Sequence, residues 1–260
     1  MTQDVAVVVG ATGAIGSAVV DRLVAKGLEV VAVARHEAAL AQLARERVHP
    51  CVADLASDDA VAAVGAGLAE LMNGGAEGAQ TGRRLRLAVF AAGLPVRGSV
   101  ETIEPSLLGV GVDIKVGGVL RLVRAVGPYL APGSRIVTFA GSLGLEPRGT
   151  EAGPGVVNAA VFNLMRQLSI VHGPRGVTTH TISPGPADTP RLRRIVEAVA
   201  QERGESFEDV WAGYAAENTL RRLPTAREVA WGVELLLADE ADLLHGSVLY
   251  LDAGGHRAIT

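Results

Sequence analysis

Seven short strand-like runs separated by segments of helical length constrain this chain more than any other feature. Val5–Val9, Val30–Ala34, Val48–Ala53, Leu85–Ala91, Arg135–Ala140, Thr178–Ser183 and Ser247–Leu251 are continuous or nearly so in strand-forming residues. Strands covered on both faces carry such runs, whereas a strand with one wet face alternates apolar and polar. Between them, Gly16–Lys26, Glu37–Glu46, Asp58–Met72, Ile114–Leu130, Gly155–His172 and Arg227–Ala238 show helical spacing. Alternating strands and helices joined by right-handed crossovers build a doubly wound parallel sheet. The expected fold is α/β, one Rossmann-type domain of about seven parallel strands.

The 260 residues can bury one sizeable core, so a single domain over the whole chain is expected. Gly-rich Asn73–Gly82 reads as a loop, and polar Pro190–Asn218, with two helical patterns, reads as a mobile cap over the ligand cleft. A formal net charge of -4 gives no reason to expect nucleic acid or an anionic membrane as partner. The sole cysteine, Cys51, cannot form an intrachain disulfide, and the six histidines show no metal-ligand spacing, so no metal is expected. The N-terminus carries no basic region or cleavage site and no apolar run is long enough to span a bilayer, which makes the cytoplasm the expected compartment.

The first chemical motif is VVVGATGAIG, Val7–Gly16, directly after the first strand. Gly10, Gly13 and Gly16 let the chain turn tightly, let backbone approach a pyrophosphate and let the helix pack closely, with Thr12 and Ile15 inside the same turn. The second strand ends VAVARHE. A site for NAD has an acidic residue there for the ribose 2′-hydroxyl; Ala34 cannot serve, and Arg35 beside it suits a 2′-phosphate, which favours NADP(H). Asp54 and Leu55, after the third strand, suit the adenine edge, with a helix N-cap as the alternative role of Asp54.

These motifs resemble the short-chain dehydrogenase/reductase family over essentially the whole chain. GATGAIG matches its glycine motif, in the spacing of extended or atypical members. Ala91, Ala92 and Gly93 look like the family's Asn-Ala-Gly after the fourth strand. SPGPADTP, Ser183–Pro190, is similar to the segment beside the nicotinamide, which implies cofactor contacts from Pro184, Gly185 and Thr189. LDAGG, Leu251–Gly255, resembles the terminal Asp-Gly-Gly of the tetrameric branch. With the apolar runs in Gly155–His172, it implies a homo-dimer or homo-tetramer.

The same resemblance makes the centre of the chain unusual. The family works with Asn, Ser, Tyr and Lys: the Tyr as acid/base, the Lys lowering its pKa and holding the nicotinamide ribose, the Ser orienting the carbonyl, the Asn anchoring a water relay. Alignment brings Lys115, Gly141, Pro154 and Asn158 to those four positions, with Ser142 one residue beyond the Ser. Pro154 has no proton to donate. The Lys and Asn positions read as exchanged: Lys115 supplies an ammonium near the ribose and Asn158 bonds a ribose hydroxyl, so Lys115, Ser142 and Asn158 are the candidate catalytic residues. Asp113, Glu151 and Tyr214 are further acids, with solvation, capping and packing as their ordinary roles. Arg97 and Arg148, after strands four and five, either meet an anionic substrate or are solvated loop residues.

Three functions remain open on this reading. The first is an atypical NADP(H)-binding enzyme acting on a small carbonyl or hydroxyl substrate. The second is a redox-neutral isomerase, cyclase or dehydratase on the same scaffold. The third is a catalytically silent NADP(H)-binding protein or oligomer subunit.

Overall fold

The computed structural model describes residues 3–74 and 82–258, so most of the expected Asn73–Gly82 loop lies outside the described residues. The strands are β1 (Gln3–Val9), β2 (Glu29–Ala34), β3 (Val48–Val52), β4 (Arg83–Phe90), β5 (Arg135–Phe139), β6 (Thr178–Pro184) and β7 (Val248–Leu251). All pair in parallel in the order β3-β2-β1-β4-β5-β6-β7. The order reverses between β1 and β4, and in open α/β sheets the crevice beyond the strand ends at such a reversal is where ligands bind.

Period-two geometry explains the continuous apolar runs. Val5, Val7 and Val9 of β1 enter the core on one face, packed under α3 (Asp59–Asn73), α5 (Gly118–Val126) and α6 (Ala152–His172). Ala6 and Val8 enter the opposite core under α1 (Ala14–Ala25) and α9 (Ala226–Leu235). With both faces covered, every position is apolar, and each fully buried Val or Leu side chain contributes roughly 1.5–3 kcal/mol of transfer free energy. At the far end of the sheet the β1–β4 register skips from Leu85 to Leu87, leaving Arg86 as an extra residue. Its buried guanidinium donates to the carbonyls of Gly133 at 3.0 Å and Leu237 at 2.9 Å.

The helices depart from expectation in two places. The helical pattern at Glu37–Glu46 contracts to α2 (Glu37–Ala41). The single helix expected over Ile114–Leu130 is a broken rod: α4 (Pro105–Val112), a π turn over Asp113–Gly117, α5, and a 3-10 turn over Gly127–Tyr129. Pro105 starts it, because a proline at the first helical position has no needed N–H to lose. The wider π turn shifts the phase of the apolar face, which hides the first segment from a 3.6-residue count. A Cβ on Gly111 would stand 2.9 Å from the Val157 side chain, so this glycine lets α4 close onto α6.

The Pro190–Asn218 region forms α7 (Pro190–Arg203) and α8 (Phe207–Ala216). These have their own apolar cluster around Leu192, Val196, Ala200, Val210 and Leu223, separate from the two sheet cores. Among the described residues no helix is long and apolar enough to cross a membrane.

Candidate active site

The glycine turn after β1 is tight for reasons visible atom by atom. Gly10 has φ +77°, and a Cβ there would meet Ala92 N at 2.8 Å. A Cβ on Gly16 would run into the carbonyl oxygen of Gly10, so α1 can lie against the turn only without a side chain at that position. Gly13 caps α1 without any side-chain hydrogen bond, and the first turn of the helix holds no acidic residue. Its leading N–H groups therefore lack an internal anion and face a crevice lined by Gly10, Thr12 and Gly13. Close backbone approach combined with an uncapped helix N-terminus fits the pyrophosphate of a dinucleotide.

This crevice encloses about 270 Å³. Ala34 and Arg35 form one wall, Asp54 and Leu55 a second, and Ala91, Ala92 and Gly93 a third. Arg35 is exposed at the end of β2 and has no ion pair among the described residues. Asp54 does not cap a helix: its Oδ1 accepts from Ala56 N at 3.1 Å within a turn, and Asp58 precedes α3. Leu55 is buried and presents an apolar surface.

A second cavity of about 330 Å³ lies on the other side, between the body of the sheet and the cap helices. Ile15 lines it from α1, and Pro184, Gly185 and Thr189 from the end of β6 and the segment joining it to α7. Gly141, Ser142, Pro154 and Glu151 line it from the segment following β5, and Tyr214 from α8. Thr189 also has a structural task, since its hydroxyl accepts from Leu192 N at 3.2 Å and caps α7. Ser142 opens a 3-10 turn whose Gly144 packs so closely on α6 that a Cβ would stand 2.6 Å from Ala159 N.

Lys115 sits in the π turn, only 6% exposed, and its Nζ donates to the Phe139 carbonyl at 2.6 Å. Burial, and next the positive charge of Arg191, lower its pKa from 10.5 to about 8. Asn158 is likewise buried, and a Cβ on Gly141 would come to 3.2 Å from its Nδ2. Gly141 and Asn158 are thus fitted to one another at the end of β5. Ser142 lines the cavity under the cap, whereas Lys115 and Asn158, both buried, line neither cavity, so of the three expected catalytic residues only Ser142 is brought to it.

Arg97 and Arg148, read from the sequence as either meeting an anionic substrate or solvated, both line the cavity but are held in ion pairs. Arg97 pairs with Glu151 at 3.5 Å, and Arg148 makes a two-pronged pair with Glu217 at 3.1 and 3.0 Å, tying the loop after β5 to the end of the cap. Asp113 pairs with Arg121 at 2.8 Å on the outside of α5. His180 is buried in β6, its Nε2 2.8 Å from Thr178 Oγ1, and burial followed by the charge of Arg135 pushes its pKa down to about 4. A residue that sequence reasoning missed is Arg191: from the first turn of α7 it reaches back across the cavity to donate to the Leu94 carbonyl. Nothing in its sequence neighbourhood signals this, because Leu94 and Arg191 meet only after the sheet has folded.

A glycine turn, an open crevice at the sheet reversal and a cavity under a helical cap are the features of a doubly wound fold of the dinucleotide-binding type. The family model described as enoyl-(acyl carrier protein) reductase matches residues 10–256, and the chain belongs to the short-chain dehydrogenase/reductase family. The short-chain reductase protein NovJ of Streptomyces niveus is 27% identical over 97% of this chain and 94% of its own. The cis-4-hydroxycyclohexanecarboxylate dehydrogenase of Sinomonas cyclohexanicum is 29% identical over 99% and 98%. The crystal structure of L-sorbose reductase from Gluconobacter frateurii, complexed with NADPH and L-sorbose, superposes with a TM-score of 0.87 at 20% identity, over 99% of this chain and 98% of that one. The family is one of oxidoreductases acting on small molecules.

Proposed function

We propose that the protein is an NADP(H)-dependent oxidoreductase acting on a small carbonyl or hydroxyl substrate, through a site without the family's Asn-Ser-Tyr-Lys set. The observation that carries the cofactor half is the exposed, unpaired Arg35 at the end of β2, beside Ala34 where an NAD-preferring site has an acid. The substrate half is supported by the cavity under the cap, and by relatives whose names describe a hydroxyacid dehydrogenase and a sugar reductase.

In this reading Gly10, Thr12, Gly13, Ile15 and Gly16 hold the pyrophosphate side, Arg35 the 2′-phosphate, and Asp54 and Leu55 the adenine edge. Ala91, Ala92 and Gly93 line the middle, and Pro184, Gly185 and Thr189 the nicotinamide end. Bound there, the cofactor supplies or accepts the hydride. Ser142 holds the substrate oxygen from the cavity wall. Lys115, an ammonium of lowered pKa buried behind that wall and bonded to the Phe139 carbonyl, adds positive charge that favours negative charge developing on the oxygen. Asn158 fixes the wall against Gly141. Pro154 contributes shape alone.

The test is titration of cofactor-stripped protein with NADPH and NADH, followed by nicotinamide fluorescence or binding heat. NADPH is expected to bind more tightly. Arg35→Ala is expected to weaken NADPH by roughly 10–100-fold, as loss of a charge-assisted bond worth about 1.5–3 kcal/mol would, while leaving NADH unchanged. No binding of either nucleotide overturns the reading. NADPH binding without consumption across a carbonyl panel turns it into a cofactor-holding, redox-neutral one.

A further inference from the structure

The charges around the cavity under the cap do not balance. Three arginines and two glutamates line it, and two of the arginines are matched: Arg97 with Glu151 and Arg148 with Glu217. Arg191 has no carboxylate partner among the described residues; its bond is to the Leu94 carbonyl. Its neighbours make matters worse, because Arg97, Arg194 and Lys115 all act on it or feel its charge. Loss of solvent, then repulsion from Arg97 and Arg194, lower the Arg191 pKa.

Cations converging on a concave site without a counter-charge repel one another, and an incoming anion relieves that repulsion. A guanidinium offers the fork that matches a carboxylate. Arg191 lines the cavity under the cap and reaches Gly93, which lines the crevice. Its Nη1 would lie 2.9 Å from a Cβ on Gly93, so the absence of a side chain there leaves room for the guanidinium beside the line between the two cavities.

We infer that the substrate carries a carboxylate, which Arg191 binds in the cavity under the cap, with Lys115 adding long-range attraction. This assignment deepens the oxidoreductase reading and rests on it for the word substrate. The cofactor diphosphate is the other anion that chemistry of this kind would accept, and the experiment separates the two.

Wild-type protein and the variants Arg191→Ala and Arg191→Lys are titrated with benzoate and with the isosteric, uncharged benzamide, by calorimetry, in the presence and absence of NADPH. NADPH affinity and thermal midpoint are measured on the same samples. Wild type is expected to prefer benzoate by about tenfold or more, a preference that shrinks as salt is raised. Arg191→Ala is expected to erase the preference while leaving NADPH affinity within about threefold, and Arg191→Lys to keep part of it. Absence of a benzoate preference in wild type overturns the inference. So does an Arg191→Ala variant that melts normally, loses NADPH affinity and keeps the preference, since its guanidinium would then serve the cofactor. Failure of wild type to bind NADPH, with the Arg191-dependent benzoate preference intact, sinks the cofactor reading and leaves the carboxylate site standing.

Discussion

Replacing Lys115 with methionine probes the energetics behind the site wall directly. The folded protein holds this amine among apolar walls with a pKa of about 8, against 10.5 for a solvated lysine. Between those values the unfolded chain carries a proton that the folded chain has released, so the stability of the wild type rises with pH. It is lost as pH falls through about 8, where the charged form is buried at full cost. Each step of one in pH within the window is worth about 1.4 kcal/mol, so from about pH 7.5 to 9.5 the wild type gains about 2 kcal/mol relative to Lys115→Met. The neutral-pH difference is a poorer test, because the variant relieves a buried charge but orphans the Phe139 carbonyl, a cost of about 1–3 kcal/mol. Urea unfolding of both proteins across that range measures the slope. Parallel profiles refute the reasoning, and a wild type that weakens relative to the variant as pH rises means the ammonium has an anionic partner in solution. Arg191→Ala removes a repulsion and is expected to move the window to higher pH.

The remaining predictions follow from contacts elsewhere. Gly16→Ala drives a Cβ into the Gly10 carbonyl and is expected to cost at least ~1–3 kcal/mol and abolish NADPH binding; a normal melting temperature with normal binding would contradict the turn geometry. In α9 the Thr225 hydroxyl accepts from Glu228 N at 3.2 Å, and the Glu228 carboxylate accepts from Thr225 N at 2.8 Å. Thr225→Ala is therefore expected to lower stability by about 1 kcal/mol in urea unfolding, and no change would show the capping box to be dispensable. Val156 on α6 is 50% exposed, and Leu107 and Val110 on the adjacent α4 are 42% and 47% exposed. Assembly through this apolar surface predicts a dimer or tetramer in sedimentation velocity that Val156→Glu dissociates, and a monomeric wild type would end that expectation.

Much of the fold was legible because its signals are local. Continuous apolar runs mark strands buried on both faces, and all seven runs became strands of one parallel sheet. The glycine turn was legible because Gly10 and Gly16 act on atoms a few residues away. The segment ahead of Lys115, α4, was not, since the π turn that follows it resets the helical periodicity. The function of Asp54 as a turn residue rather than a helix cap was likewise decided by where the chain bends.

What the sequence by itself determined is the layering, the parallel sheet and the phosphate-type turn, because short-range sterics and hydrophobic periodicity specify them without reference to distant residues. Only the tertiary structure decided how the charges of the site are spent. Arg97 and Arg148 look available along the chain, yet Glu151 and Glu217 hold them, while Arg191 arrives from far downstream to face Gly93 and Leu94 without a carboxylate. Ion pairing depends on distance through space, and in a doubly wound sheet the residues that share a crevice are those at strand ends, however far apart they stand in sequence.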